Sequence, residues 1–317
     1  RATGAAAFDI EALLADRRIY IDLTWSGRAV GVGAIAAWRE DALGAAEAGQ
    51  TVGQVLDRHG SEMWSRDKAP GTAFLRLSVP SPDRLQFVPQ AGSLPPRPEF
   101  YDFALPDRRW PAANGATKLR DLMCVAIDTE TTGLSPRGGD EIVAIGAVRV
   151  VNGRVLTGET FSRLVNPGRS IPQSSVRFHG ITDAMVADEP PLAVVLPQLK
   201  RFVADAILVG HNIGFDLKFL ELKEAEIGIR FDNPFIDTLL ISHYLYDDPV
   251  DHSLDAIAAR LGIGIQSRHS AVGDALATAT VFVRQIELLE ARGITTLQEL
   301  LRASAMVFKV RAHQANF

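Results

Sequence analysis

Apolar residues change their spacing along this chain, and the changes divide it. Near the start, "RRIYIDLTWSG" is rich in β-formers around Ile19 to Leu23, which predicts a strand ending in a glycine turn. "AVGVGAIAAWRE" is interrupted by glycine and then apolar. In "TVGQVLDRHG", Val52, Val55 and Leu56 share one face, predicting a helix that stops at Gly60. "SEMWSRDKAPGTAFLRLSVP" reads as a hairpin, with strands Ser61 to Arg66 and Thr72 to Val79 around a Lys68 to Gly71 turn. The stretch from Gln90 to Leu119 is rich in Pro, Gly and Ala. It is expected to be a linker lying along a surface, because Phe100, Tyr101 and Trp110 require cover.

After it the pattern is stronger. Met123 to Asp128 is a short buried strand. Glu141 to Val151 is a second, closed by Asn152-Gly153, and Arg154 to Val165 is a third, so the three form an antiparallel meander. Pro191 to Val203 has helical spacing through Leu192, Val195, Leu196, Leu199 and Phe202. Ala206 to Val209 reads as a strand, followed by a helix through "FDLKFLELKEAEIG". Helices Ser253 to Leu261 and Gly273 to Arg292 and a C-terminal helix from Thr296 complete the chain. A meander followed by β-α units predicts an α/β fold, a mixed sheet flanked by helices and preceded by a smaller α/β domain. The expected boundaries are 1–90 for the small domain, 91–118 for the linker, 119–295 for the main domain and 296–317 for a C-terminal helix and tail.

Composition narrows the function. With 317 residues, 47% hydrophobic and 22% charged, the chain excludes extensive disorder and suffices for two domains. A net charge of −5 provides no global basic field, so nucleic-acid binding has to be local and metal-assisted. The single Cys124 cannot form an internal disulfide and lies in an apolar run; it reads as a core residue in a reducing, cytoplasmic protein. No segment has the length of a membrane helix and no signal peptide is visible. A chain that starts at Arg1 is expected to be a fragment.

The candidate chemistry begins at "VAIDTETTGL". Asp128 and Glu130 are two apart, so on a strand they share a face and repel unless a cation lies between them. "LVGHNIGFDLKFL" puts Asp216 in the first turn of a helix. "RHSAVGDALATATVF" puts Asp274 at another helix start, with His269 five residues earlier, in a mobile loop rather than on the helix face. Four carboxylates suit two divalent ions, Mg²⁺ or Mn²⁺, about 4 Å apart, which can clamp the attacking and leaving oxygens of a phosphodiester. A histidine can take the proton of the attacking water. Taken singly, each residue has a plainer reading: a solvated strand edge, a helix-start acid, a surface histidine. His211, His243 and His252 lack zinc-site spacing and read as structural or surface. The acids of "YDDPVDH" read as a solvated loop.

Together, "DTETTGL", "HNIGFD" and "HSAVGD" resemble the three motifs of the DEDDh 3′–5′ exonucleases, over roughly Leu122 to Leu289. Within that family the likeness is to the proofreading epsilon subunit of DNA polymerase III and its stand-alone relatives. The resemblance implies an RNase H-like fold, with Asp128, Glu130, Asp216 and Asp274 holding two metals and His269 as general base. It implies that Thr131, Gly133 and Leu134 approach the terminal nucleotide, with His179 and Ile181 of "FHGIT" and with Asn212 and Phe215. Phe178 and Phe215 are expected to wedge the terminal bases. The implied activity removes nucleoside 5′-monophosphates from single-stranded DNA 3′ ends. The alternatives are an exoribonuclease and a regulatory module that binds nucleotides or nucleic-acid ends without cutting. A polymerase or a signalling protein is the expected partner.

The first region, in "LDRHGSEMWSRDKAPGTAFLRLSVP", resembles the end of a histidine-kinase ATPase domain through His59-Gly60, Trp64, Gly71-Thr72-Phe74 and Pro80. It departs from that family at Thr24 and Trp25, where the ATP-lid acid belongs, and shows no asparagine-rich ATP motif. A degenerate or truncated relative with a docking or sensory role is expected, against an unrelated α/β module. The tail "SAMVFKVRAHQANF" is distantly like a sliding-clamp peptide, but Ala303 stands where such peptides carry glutamine, so it reads as a packing helix.

Overall fold

The computed structural model describes residues 7–15, 18–42, 50–80, 115–246, 250–265 and 268–314. The expected linker lies almost wholly outside them, with Phe100, Tyr101 and Trp110, as do Asp247 and Asp248 of the acidic loop. The chain divides into two compact units, Arg1–Gln86 and Phe87–Phe317.

In the first unit β1 (Asp9–Ala15), β2 (Arg18–Ser26), β3 (Glu62–Ala69) and β4 (Thr72–Pro80) form an antiparallel sheet in the order β1-β2-β4-β3. Helices α1 (Val32–Glu40) and α2 (Val52–Arg58) lie between β2 and β3. Thr51 and Gln54 form a reciprocal capping box that fixes the start of α2. Gly60, at φ 54°, takes the left-handed turn out of it. Trp25, Val30, Ile35 and Ala73 make a small core. Helix α2 and the hairpin lie where the pattern predicts them; β1 is an additional strand.

The second unit is built on a five-stranded mixed sheet ordered β7-β6-β5-β8-β9. The predicted meander is β5 (Met123–Thr131), β6 (Ile142–Val151) and β7 (Arg154–Leu164). Asn152 (φ 53°) and Gly153 (φ 69°) make the turn between the last two, where both central residues require positive φ. β8 (Ile207–Gly210) pairs parallel to β5, and β9 (Phe235–Asp237) pairs parallel to β8. Helices α3 (Gln173–His179), α4 (Asp183–Val186) and α5 (Leu192–Val203) precede β8, and α6 (Gly214–Ile227) follows it. Beyond β9 come α7 (Thr238–Leu245), α8 (Leu254–Arg260), α9 (Ala271–Ala291) and α10 (Leu297–Gln314).

Alternation along β5 sorts the core onto two faces. Val125 and Ile127 pack with Leu196, Leu199, Leu217 and Leu220 of α5 and α6. Cys124 and Ala126 pack with Ile241 of α7, Ala275 and Phe282 of α9, and Leu297 and Leu300 of α10. Through Leu297 and Leu300, α10 shares the core of α9. The start of α10 is also tied to the segment 117–119 ahead of β5, with Leu119 N donating to Thr295 O and Leu297 N to Thr117 O. Among the described residues, no helix is long and apolar enough to cross a membrane.

Candidate active site

Strand parity decides which acids meet. Asp128 and Glu130 continue the face of Cys124 and Ala126, which α9 covers. Asp274 lies in the first turn of α9, and Ser270 caps that helix by accepting from Gly273 N at 3.2 Å. Asp128, Glu130 and Asp274 each bring a carboxylate oxygen within 4.8 Å of the others. Glu130 and Asp274 are buried and Asp128 is half-buried. Three carboxylates so close repel one another when ionised, and a hard divalent cation offsets that repulsion. The donor set, all oxygen, fits Mg²⁺ or Mn²⁺.

What lets α9 approach is Gly146. It stands opposite Asp128 in the β5–β6 register. A Cβ there would lie 2.0 Å from the carbonyl carbon of Ala271 and 2.2 Å from Val272 N. The bare backbone of β6 is thus the seat of the N-terminus of α9, and it sets the height of Asp274 above the sheet. The sequence carried the signal, since a glycine inside a strand marks close backbone approach. It was hidden in the apolar run of β6.

Asp216, expected beside the other three acids, is held differently. It projects from α6, and its Oδ1 accepts from Thr129 N (2.8 Å) and Thr129 Oγ1 (2.6 Å). Thr129 belongs to the other parity of β5, on the α6 side. Three of the four expected acids converge, and the fourth braces the strand between Asp128 and Glu130.

His269 lies in the turn before α9, at φ 61°, and donates its N–H to Asp274 Oδ2 at 3.3 Å. It is 8% exposed, so the expectation of a mobile side chain is corrected: the turn is folded onto the site. Arg268, beside it, was not singled out from sequence. Its Nη1 donates to Asp274 Oδ2 at 2.5 Å, and its Nε and Nη2 reach Asp255 of α8 at 2.8 and 2.9 Å. That contact holds the Asp255 carboxyl below the usual carboxylate range.

The residues expected at the nucleotide divide into surface and support. Leu134 is exposed, Gly133 and Asn212 are partly exposed, and Phe178 is half-buried on α3. Phe215 is a correction: it is buried, edge-on to Phe219 at 5.1 Å, inside the α5–α6 core, because its helix turns that face to the sheet. Ile181 is likewise core, packed with Val143 and Ile171. The buried Thr131 donates its hydroxyl to Gly133 O at 2.7 Å. His179 is buried, accepts from Ile181 N at its Nδ1 (3.0 Å), and so donates from Nε2 to Thr131 O (3.2 Å). These three shape the loop after β5 from behind. Gly133 lets that loop close over Asp140, which a Cβ would strike at 2.3 Å.

Asp237, at the end of β9, is a further support that sequence reasoning missed. Its Oδ1 accepts from Leu239 N, capping α7, and from Asn212 N, both at 2.9 Å. Asn212 sits at φ 59°, so this carboxylate pins a left-handed turn just ahead of α6 and Asp216. Burial pushes the Asp237 pKa up to about 6, against the pull of the backbone N–H groups. A carboxylate directly ahead of a helix was the available signal. His211 is half-buried, donates or accepts at Thr238 Oγ1 (3.1 Å), and its pKa is pushed down to about 3 by desolvation and then by Arg268. Burial raises the Cys124 thiol, in keeping with an inert core residue.

Residues 125–282 match the RNase_T family, described as Exonuclease. A DNA polymerase III subunit epsilon-like protein of Rhodobacter capsulatus is 42% identical over 313 residues, covering 98% of this chain and 44% of the relative. A DNA polymerase III PolC-type protein of Caldanaerobacter subterraneus is 38% identical over 176 residues, covering 56% of this chain and 12% of the relative. The chain thus spans less than half the length of these relatives. Among solved structures, Exonuclease X in complex with 5′ overhanging duplex DNA is 27% identical with a TM-score of 0.47, over 57% of this chain and 99% of that one.

Proposed function

We propose, because residues 125–282 belong to the RNase_T exonuclease family, that this protein is a metal-dependent 3′–5′ exonuclease acting on single-stranded DNA ends. The observation that carries the reading is the convergence of Asp128, Glu130 and Asp274 beside the turn that bears His269. Asp128, Glu130 and Asp274 would hold divalent ions, and Asp216, bonded to Thr129, braces the strand that carries Asp128 and Glu130. Bound there, Mg²⁺ or Mn²⁺ supplies positive charge against the phosphate that is cut.

The chain's own residues do the rest. His269 accepts the proton of the attacking water. The folded turn is tied to Asp274 through the His269 backbone N–H and leaves the residue only 8% exposed, so the base is held in place before substrate arrives. Leu134 and Phe178 present apolar surface to the terminal bases. Thr131, Gly133 and His179 hold the loop that carries Leu134. The products are a nucleoside 5′-monophosphate and a strand one nucleotide shorter. A polymerase is the natural source of such ends, and a reducing cytoplasm the natural setting.

Two other readings make different predictions. An exoribonuclease prefers RNA, and a non-cleaving module binds ends without shortening them. Matched 5′-labelled single-stranded DNA and RNA oligonucleotides, incubated with Mg²⁺ and with Mn²⁺, separate all three. The expected result is a ladder that shortens from the 3′ end, faster on DNA, with nucleoside 5′-monophosphate released. A faster RNA ladder assigns the second reading. Retention of both oligonucleotides uncut by the folded protein assigns the third.

A further inference from the structure

Asp274 divides its two oxygens between two tasks, and Arg268 makes the division. Oδ2 accepts from Arg268 Nη1 at 2.5 Å and from His269 N at 3.3 Å. Oδ1 is buried and has no hydrogen-bond donor. A buried carboxylate oxygen left without a donor carries a desolvation cost that only a cation or a donor can offset. We infer that Arg268 is a positioning residue of the metal centre: it fixes the Asp274 carboxylate by one oxygen so that the other faces the ion. The inference rests on the exonuclease reading and deepens it.

A guanidinium beside a cation site would ordinarily compete with the ion. Here Asp255 offsets that. It takes Nε and Nη2 of Arg268 through both of its oxygens, in fork-to-fork geometry, at 2.8 and 2.9 Å. The pair has no net charge, so it repels a cation weakly while it holds Asp274 rigidly. The three residues come from α8, from the turn before α9 and from α9 itself. They therefore couple α8, which has no other part in the site, to the geometry of the metal. A lysine at 268 has a single point of charge and cannot span both acids.

The test is direct binding of Mn²⁺ alone to the full chain, by calorimetry and by the loss of the free Mn²⁺ electron paramagnetic resonance signal. Outer partners of metal ligands are worth about 10–100-fold in affinity, so R268Q is expected to weaken Mn²⁺ binding by about that factor. R268K is expected not to restore it. D255N, on a half-exposed side chain of α8, is expected to weaken it by a smaller factor, since Arg268 stays on Asp274 while its charge is no longer cancelled. Cleavage by R268Q should return toward the wild-type rate at saturating Mn²⁺, as expected if the ion's placement rather than the proton acceptor is impaired. If R268Q does not fold, D255N alone decides. Unchanged or tighter Mn²⁺ binding in the folded variants overturns the inference and leaves the exonuclease reading intact. A wild-type chain that binds no Mn²⁺ overturns the exonuclease reading itself.

Discussion

The two units bury acids in opposite ways. In the first, Asp22 of β2 faces Arg76 of β4, which donates from Nε and Nη2 to both carboxylate oxygens at 2.7 Å. The same guanidinium lies over the Tyr20 ring at 4.6 Å and the Trp64 ring at 5.3 Å. In the second, Asp128, Glu130 and Asp274 face one another, and Arg268 pairs with one oxygen of Asp274 from behind. A buried acid matched to a base holds a sheet together, and removing one partner strands the other. Buried acids gathered against acids lower stability, and a fold keeps them where a cation is to be received. The second unit also contains the matched kind, in Arg149–Glu159 at 2.8 Å, with Arg149 reaching Phe202 O. The contrast is thus between two uses of charge, and it is sharpest where one sheet carries both.

The same change, Asp to Ala, should have opposite signs in the two settings. Asp128→Ala is expected to reduce cleavage by on the order of 10⁴-fold or more, because several kcal/mol of transition-state stabilisation goes with the ion's placement. Its thermal midpoint in chelator should equal or exceed the wild type, since a repulsion is removed. A clear fall in that midpoint would show the acid to be structural.

His269→Ala comes next, with an expected loss of about 10²–10⁴-fold at neutral pH, the scale of a general base. Single-turnover rates at neutral pH check it: a rate within a few-fold of the wild type would remove His269 from the mechanism.

Asp22→Ala breaks the matched kind. It leaves the Arg76 guanidinium among aromatic rings without its carboxylate, at an expected cost of about 3–5 kcal/mol to the first unit. Tryptophan fluorescence reads this mainly from the first unit, which holds Trp25, Trp38 and Trp64 against Trp110 in the second; a W110F background makes the reading selective. Denaturant curves followed by fluorescence should shift, while curves unchanged from wild type would place the pair outside the forces holding the sheet.

Asp237→Asn is the mildest. The Asp237 pKa is raised to about 6, so the fold favours its protonated form. That contribution is complete below the ordinary carboxylate pKa and is lost as the pH rises through about 6. Asparagine keeps one carbonyl oxygen for Asn212 N and Leu239 N and does not titrate. The midpoint of the variant should therefore gain on the wild type between pH 4 and pH 7. A difference independent of pH would contradict the assignment.

Legibility of the sequence followed the same physics. The β5–β7 meander, α5, β8, α6 and the start of α9 stand where the pattern puts them, within about two residues, except that β5 runs three residues past Asp128 to Thr131. Their apolar spacing is long and regular, and Asn152-Gly153 fixes one turn. β9 has three residues and α7, "TLLISHYL", is buried on nearly every side, so neither offers an amphipathic stripe to read. At the site, motif spacing exposed Asp128, Glu130 and Asp274, because parity on β5 and the cap of α9 are local properties. Asp216's partner depends on which face α6 covers, and Phe215 was assigned to the substrate although its helix turns it inward. Gly146, Asp237 and Arg268 act through other residues across the sheet, which no local window contains.

The most direct test of the central claim is single-turnover cleavage of one 5′-labelled single-stranded oligonucleotide by the full chain and by Asp128→Ala, each with Mn²⁺ and with chelator. The account predicts a ladder from the 3′ end for the wild type with Mn²⁺ and none in the other three arms, with both proteins folded. Cleavage by Asp128→Ala at the wild-type rate, or cleavage that persists in chelator, would contradict it.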